Sequence, residues 1–301
     1  MKTLITGGAG FIGLHLAEKL SMEGCEVVIL DNKKPKWNIP NRIKFIKGDV
    51  RDIELIKRVC KDVDYIFHKA AIISVVESIK RWKDVIDVNL IGTVNILESA
   101  LKNDVEKVIF ASSSAVYGDT QPLPQKEILP PNPKSPYGIS KLSGEYFMKM
   151  FYEEYGLKTT SLRYFNVYGP RQDHAVIPVF IKRALSNQPL IIYGDGSQMR
   201  DFIFVEDVIR ANELVMERGD GEVYNVGSGK AISIEDLAKK IIKLTQSKSR
   251  IVHVERREGD IRYSCADISK IKKLGFEPKV DLEKGLSITI EWFKNCLGVE
   301  R

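Results

Sequence analysis

Through the first half of the chain, short runs of consecutive apolar residues alternate with longer stretches whose apolar positions recur at helical spacing. The runs at 2–6, 26–30, 43–46, 65–67, 107–111 and 159–163 are rich in Val, Ile, Phe and Leu, and predict strands. Between them, 11–23, 52–60, 85–102 and 137–155 predict amphipathic helices. Strand–helix alternation of this kind predicts an α/β fold with a doubly wound parallel sheet. Strands that are apolar on both sides suit a sheet covered on both faces.

After about residue 166 the rhythm becomes irregular. A helix over 178–186 is followed by a turn-rich 193–197 and a strand over 201–205. Helices over 206–217 and 234–246 flank a strand over 222–226, and a helix over 282–296 closes the chain. This pattern predicts a larger sheet domain over 1–165 and a smaller mixed α/β domain over 166–301, with some later segments returning to the first. No flexible linker marks the boundary, so the two parts are expected to pack along a cleft. The Pro-rich stretch 121–136 predicts a long loop leading into the helix at Tyr137, placed to wall a site.

Composition narrows the class. With 44% hydrophobic and 29% charged residues among 301, the chain has the make-up of a globular protein. No apolar run approaches the ~20 residues of a membrane span, and the start lacks a signal-peptide pattern, so a soluble cytoplasmic enzyme is expected. The net charge of +6 is spread among 40 acidic residues without a basic stripe, so no nucleic-acid partner is expected. The four cysteines and four histidines form no ligand cluster, and no metal is expected.

The chemistry begins after the first strand. Gly7-Gly8-Ala9-Gly10-Phe11-Ile12-Gly13 places glycines between a strand and a helix, where the helix N-terminus offers amides and positive potential to a diphosphate. Gly7 and Gly10 allow a tight turn and close backbone approach, and Gly13 lets the helix lie against the strand. Asp31 ends the second strand, where a carboxylate accepts hydrogen bonds from adenosine ribose hydroxyls and repels a 2′-phosphate. Loop and carboxylate together predict a Rossmann-type NAD site, with Lys33 and Lys34 the opposing signal.

Further along, Tyr137 and Lys141 stand four residues apart, on one face of a predicted helix. A phenol of pKa near ~10 is a poor base at neutral pH, and a neighbouring ammonium and a nicotinium would favour its phenolate. A surface helix is the ordinary meaning of such spacing. Here Ser112-Ser113-Ser114 follows a predicted strand end, where ligands of open α/β sheets bind.

Taken with Gly48-Asp49-Val50, His68-Lys69-Ala70-Ala71, Asn89-x-x-Gly92-Thr93, Arg163 to Arg171, Arg200-Asp201 and Arg257 to Asp260, the chain resembles the extended short-chain dehydrogenase/reductases. Within them it is similar to nucleotide-sugar epimerases of the UDP-glucose 4-epimerase type, over nearly its whole length. The resemblance implies that Phe11 and Ile12 cover the diphosphate of NAD, Asp31 and Asn32 hold the adenosine ribose, and Asp49 and Val50 flank the adenine. Lys69, Ala70 and Ala71 would pass under the nicotinamide half, with Asn89 and Phe165 completing that pocket. Ser113, Tyr137 and Lys141 would be the catalytic residues, and Ser112 and Ser114 their bland neighbours. A UDP-sugar would meet Asn166, Ala175, Val176, Ile191, Tyr193, Arg200, Arg257 and Asp260, the arginines suiting bidentate phosphate contacts. Ser264 falls at a position where a small residue leaves room for N-acetylhexosamines, or simply packs. A homodimer through helices 85–102 and 137–155 is also implied.

Related 4,6-dehydratases carry an Asp-Glu pair after the catalytic hydroxyl, and glucuronate decarboxylases a Glu. This chain has Ser114 and Ala115 there. The reading that remains is C4 epimerisation of a UDP-hexose, with a UDP-uronic acid epimerase or another sugar-nucleotide oxidoreductase as the rival. A silent NAD-binding protein would be expected to lose Tyr137 or Lys141, and both are present.

Overall fold

The structure, a computed structural model, describes residues 1–256 and 261–298. Its strands, in chain order, are β1 (Lys2–Thr6), β2 (Glu26–Asp31), β3 (Ile43–Lys47), β4 (Tyr65–His68), β5 (Lys107–Ser113), β6 (Lys158–Tyr164), β7 (Asn166–Tyr168), β8 (Leu190–Tyr193), β9 (Met199–Phe204), β10 (Glu222–Val226), β11 (Ala231–Ser233), β12 (Ile251–Val254) and β13 (Tyr263–Ser264). The larger sheet runs β10-β6-β5-β4-β1-β2-β3, with every neighbouring pair parallel. Such a sheet needs cover on both faces, and successive residues supply it. Leu4, Val28, Val108 and Phe110 pack on one side with Ile96, Leu97 and Met148, while Ile5, Val27, Phe67 and Ile109 pack on the other with Leu16 and Val208. Each such side chain stabilises the fold by about 1.5–3 kcal/mol on burial.

The strand order reverses between β1 and β4, and a crevice opens above their C-terminal ends, where ligands of doubly wound sheets bind. β9 is the centre of a second, smaller sheet: it pairs with β7 and β13 in parallel and with β11 antiparallel. β8 and β12 form a parallel pair beside it. β10 follows the smaller sheet's central strand in sequence yet joins the larger sheet, with Val226 paired to Tyr164.

Several local expectations are revised. The single helix expected over 85–102 is three pieces: Trp82–Ile86, a π-helical turn over Asp87–Ile91, and Gly92–Lys102. A π-turn has no apolar signature of its own, so periodicity reads through it. The helix expected from 178 begins at Val176, because Pro178 is tolerated in a first turn whose amides need no intrahelical partner. Tyr193, placed in a turn by the sequence, ends β8. Strands β7, β8, β11, β12 and β13 and the short helices Val75–Lys80 and Ser269–Lys272 were too brief to leave a period. Among the described residues no helix is long and apolar enough to cross a membrane.

Candidate functional site

The glycine loop leaves β1 at the crevice. Gly7 has φ +67°, and a Cβ there would lie 2.7 Å from the main chain of Lys69 and Ala70. A Cβ at Gly13 would lie 2.3 Å from the Gly7 oxygen, so only glycine lets the helix Phe11–Met22 start this close to the loop. Gly10 caps that helix with no side chain covering its first amides, and no acid stands in its first turn. Those amides are left for an anion. Gly8, which the sequence analysis left without a role, packs on Ile29, where a Cβ would be 2.5 Å from the Ile29 Cβ.

Asp31 ends β2 beside this loop and accepts from the amides of Ala9 (3.1 Å) and Lys33 (2.9 Å). It therefore faces the same space as Gly10, and its neighbour Asn32 is exposed. Asp49 is held by Arg51 through two side-chain bonds of 2.9 and 2.7 Å, which keep its carboxyl below the usual range. Val50 is buried against Gly92. Loop, Asp31 carboxylate and Val50 thus line one groove whose close-packed glycines and uncapped helix start fit a dinucleotide.

At the far end of the groove stands helix Pro136–Tyr155. Ser135 caps it, accepting from the Gly138 amide, and Pro136 opens it with a preset φ. A Cβ at Gly138 would lie 2.8 Å from the Ala115 oxygen, so the helix start rests on the short turn Ser114–Val116 that follows β5. This contact brings Tyr137 to Ser113. Tyr137 is half-buried; burial pushes its phenol up, and a hydrogen bond with Ser113 works the other way. The ammonium expected to favour the phenolate is not among the groups that move it. Lys141 is buried, with Nζ 4.8 Å from the Phe110 ring centre and 5.9 Å from that of Tyr137. Burial brings its pKa down to about 7, against the raising influence of Glu145.

Glu145 is a member of this site that the motif search missed. It lies four residues beyond Lys141, buried, and accepts from Arg163 Nε (2.9 Å) and Nη2 (2.7 Å) and from Ser112 Oγ. The signal was a lone acid on the same helical face as Tyr137 and Lys141. Its bond also separates the three serines: Ser112 is committed to Glu145, while Ser113 faces Tyr137.

Lys69, Ala70 and Ala71 follow β4 beneath the loop. The Lys69 side chain turns into the interior, donating to Tyr164 Oη (2.8 Å) and Asn212 Oδ1 (2.6 Å), and burial lowers its pKa well below the ordinary value. Asn89 lies on the π-turn and does not offer its amide to a pocket. It is buried, accepting from the Ile72 amide and donating to the Ile72 oxygen and Ser140 Oγ. Its side chain pins the Ile72 backbone and Ser140 instead.

On the opposite side, Phe165 is buried against Tyr117, and Asn166 donates to the Asp201 oxygen at 2.9 Å. Ile191 is half-buried and Tyr193 exposed on β8, while Val176 packs at the core edge and Ala175, at φ +90°, precedes its helix. Arg200 and Ser264 sit side by side across β9 and β13, Ser264 buried. Asp201, read only as part of a motif, is a fully buried anchor that accepts from Ser228, Gly229 and Ala266. Arg257 and Asp260 lie outside the described residues.

The model of the NAD dependent epimerase/dehydratase family matches residues 3–227. A candidate UDP-glucose 4-epimerase of Methanocaldococcus jannaschii is 41% identical over 300 residues, 97% of this chain and 98% of that protein. A UDP-N-acetyl-alpha-D-glucosaminuronate decarboxylase of Bacillus cytotoxicus is 39% identical over 319 residues, 97% of this chain and 98% of that protein. Among solved structures, a UDP-glucose 4-epimerase of Thermotoga maritima with UDP-glucose superposes with a TM-score of 0.96 at 41% identity, covering 99% of this chain and 100% of that one.

Proposed function

The chain belongs to the NAD-dependent epimerase/dehydratase family, and on that premise we propose that it inverts C4 of a UDP-hexose, interconverting UDP-glucose and UDP-galactose, with N-acetylated counterparts as further substrates. The observation that carries this reading is the local one. Ser113 and Tyr137 meet at the end of β5, Lys141 lies behind them, and Ser114 and Ala115 supply no carboxyl for elimination or decarboxylation.

Bound NAD supplies a reversible hydride acceptor. The residues of the chain do the rest. Tyr137 takes the proton from the C4 hydroxyl and Ser113 hydrogen-bonds the same oxygen as C4 gives up its hydride to that acceptor. The resulting 4-keto sugar turns over and takes hydride and proton back, the hydride on its other face. Lys141, which does not itself shift the phenol, lies behind it where it can hold the nicotinamide ribose. The glycine loop, Gly10-capped helix and Asp31 hold the cofactor throughout, since no net oxidation occurs. Arg200 and Arg257 bind the substrate diphosphate, so the handle stays fixed while the hexose moves. Ser264, small and buried beside Arg200, favours room for an N-acetyl group. Tyr137→Phe is expected to abolish turnover while NAD stays bound; turnover within about tenfold of the parent would refute Tyr137 as the base.

The partner is a second copy. Ile79, Trp82, Ile86 and Ile91 are exposed on the segment before Gly92–Lys102, and Ile139 and Tyr146 on the neighbouring helix Pro136–Tyr155. Large apolar residues on this segment and the helix beside it suit a two-fold interface, in which one patch covers its own copy.

A further inference from the structure

His68 lies outside the reaction just described, although it ends β4 directly before Lys69. It is buried, as are Thr6, Thr93 and Asn89. Its Nδ1 is 2.7 Å from Thr6 Oγ1 and its Nε2 is 2.9 Å from Thr93 Oγ1. Proton counting fixes the directions. The Thr93 hydroxyl donates to the Asn89 carbonyl at 2.6 Å, so it has no proton left for His68 and accepts from Nε2–H. Nδ1 is then bare and accepts from Thr6, whose oxygen in turn accepts from the Ala70 amide at 3.3 Å. Beyond Asn89 the chain continues, because its Nδ2 donates to Ser140 Oγ (3.0 Å), which donates to the Tyr137 carbonyl (2.8 Å). One directed path therefore runs from Ala70 on the crevice floor, through His68 and the π-turn, to the first turn of the helix that carries the base.

The imidazole is suited to staying in this state. It stacks on Phe110, with ring centres 5.8 Å apart, and Phe110 is the ring beneath the Lys141 ammonium. Burial, with the charges of Lys141 and Lys69, lowers its pKa to about 3, so it remains neutral at any working pH. A π-turn is an irregular turn that recurs at functional sites. Here the Thr93 hydroxyl, itself held by His68, bonds the Asn89 carbonyl of that turn.

We propose that His68 is a positioning residue for Tyr137: by holding Thr93 and the Asn89 carbonyl, it keeps the π-turn in register so that Asn89 and Ser140 fix the helix start on which the base stands. The inference rests on the reading of Tyr137 as the base, and it concerns placement, since His68 exchanges no proton with substrate.

The test uses the NAD-loaded full chain with His68→Phe, which keeps the stack and loses both nitrogens, and His68→Gln, whose amide reaches the Nε2 position. Thr93→Val and Thr93→Ser form the matching pair. His68→Phe and Thr93→Val are expected to lower kcat about 10- to 100-fold with KM for the UDP-sugar unchanged, whereas His68→Gln and Thr93→Ser recover most of the loss. Ultraviolet titration of the Tyr137 phenol, taken as the difference from Tyr137→Phe, is expected to shift in His68→Phe and return in His68→Gln. That readout needs no substrate, so it separates this idea from the choice of reaction. Equal kcat losses in both members of each pair, a loss confined to KM, or an unshifted phenol titration would each overturn it. Should His68→Phe fail to fold, the Thr93 pair decides alone.

Discussion

Tyr137 and Lys141 share a helix face, and burial drives them in opposite directions: the phenol up, the ammonium down to about 7. Both shifts disfavour charge, as desolvation requires. Ser113 works against that rise, and on the proposed reading the positive nicotinium of NAD would bring the phenol down further. Titration of Tyr137 in protein loaded with NAD is expected to show ionisation at a lower pH than in protein loaded with NADH, whose ring carries no charge; identical titrations would contradict this. Glu145 acts on the other partner. It raises the Lys141 pKa, so Glu145→Gln should lower it further, and the ammonium is then lost earlier as pH rises. The alkaline limb of kcat should move to lower pH. The same change leaves Arg163 buried without its anion, at a cost of about 3–5 kcal/mol in stability. A lower melting temperature with an unmoved alkaline limb would leave Glu145 only a structural role.

At the scale of elements, the parts written in consecutive residues were legible in the sequence. The glycine loop, the carboxylate at the end of β2 and the Tyr137/Lys141 face each follow from spacing within one strand, turn or helix. The loop also makes a direct prediction. With only 2.3 Å between a Gly13 Cβ and the Gly7 oxygen, Gly13→Ala must displace loop or helix. Overpacking of this kind costs about 1–3 kcal/mol, and NAD affinity measured by calorimetry should fall at least about tenfold. Unchanged affinity would mean that the loop is not the diphosphate cradle. What stayed hidden depends on partners distant in sequence. The π-turn at Asp87–Ile91 is stabilised by Thr93, Ile72 and Ser140, and helical periodicity is blind to that choice. Asp201 looked like half of a motif until Ser228, Gly229 and Ala266 were folded around it.

For the whole molecule, the sequence conveyed an ordered sheet followed by an irregular half, and the fold interleaves them. β10 rejoins the larger sheet at Tyr164 because a seventh parallel strand covers the edge of β6, a pairing that no local pattern announces. The proposed dimer face would use the exposed Ile91 of the π-turn that carries Asn89 and the exposed Ile139 and Tyr146 of the helix that carries Tyr137. Light scattering should give twice the 34.1 kDa chain mass, and Ile139→Asp with Tyr146→Asp should halve it; a monomer in the parent protein would remove the dimer. The reaction itself is tested most directly by NMR of the products formed from UDP-galactose, UDP-N-acetylgalactosamine and UDP-glucuronate by the NAD-loaded protein. The account predicts that UDP-galactose becomes UDP-glucose, with only the C4 configuration changed and no cofactor reduced overall. A 4-keto-6-deoxy sugar, a pentose with release of carbon dioxide, or turnover of the glucuronate alone would contradict it.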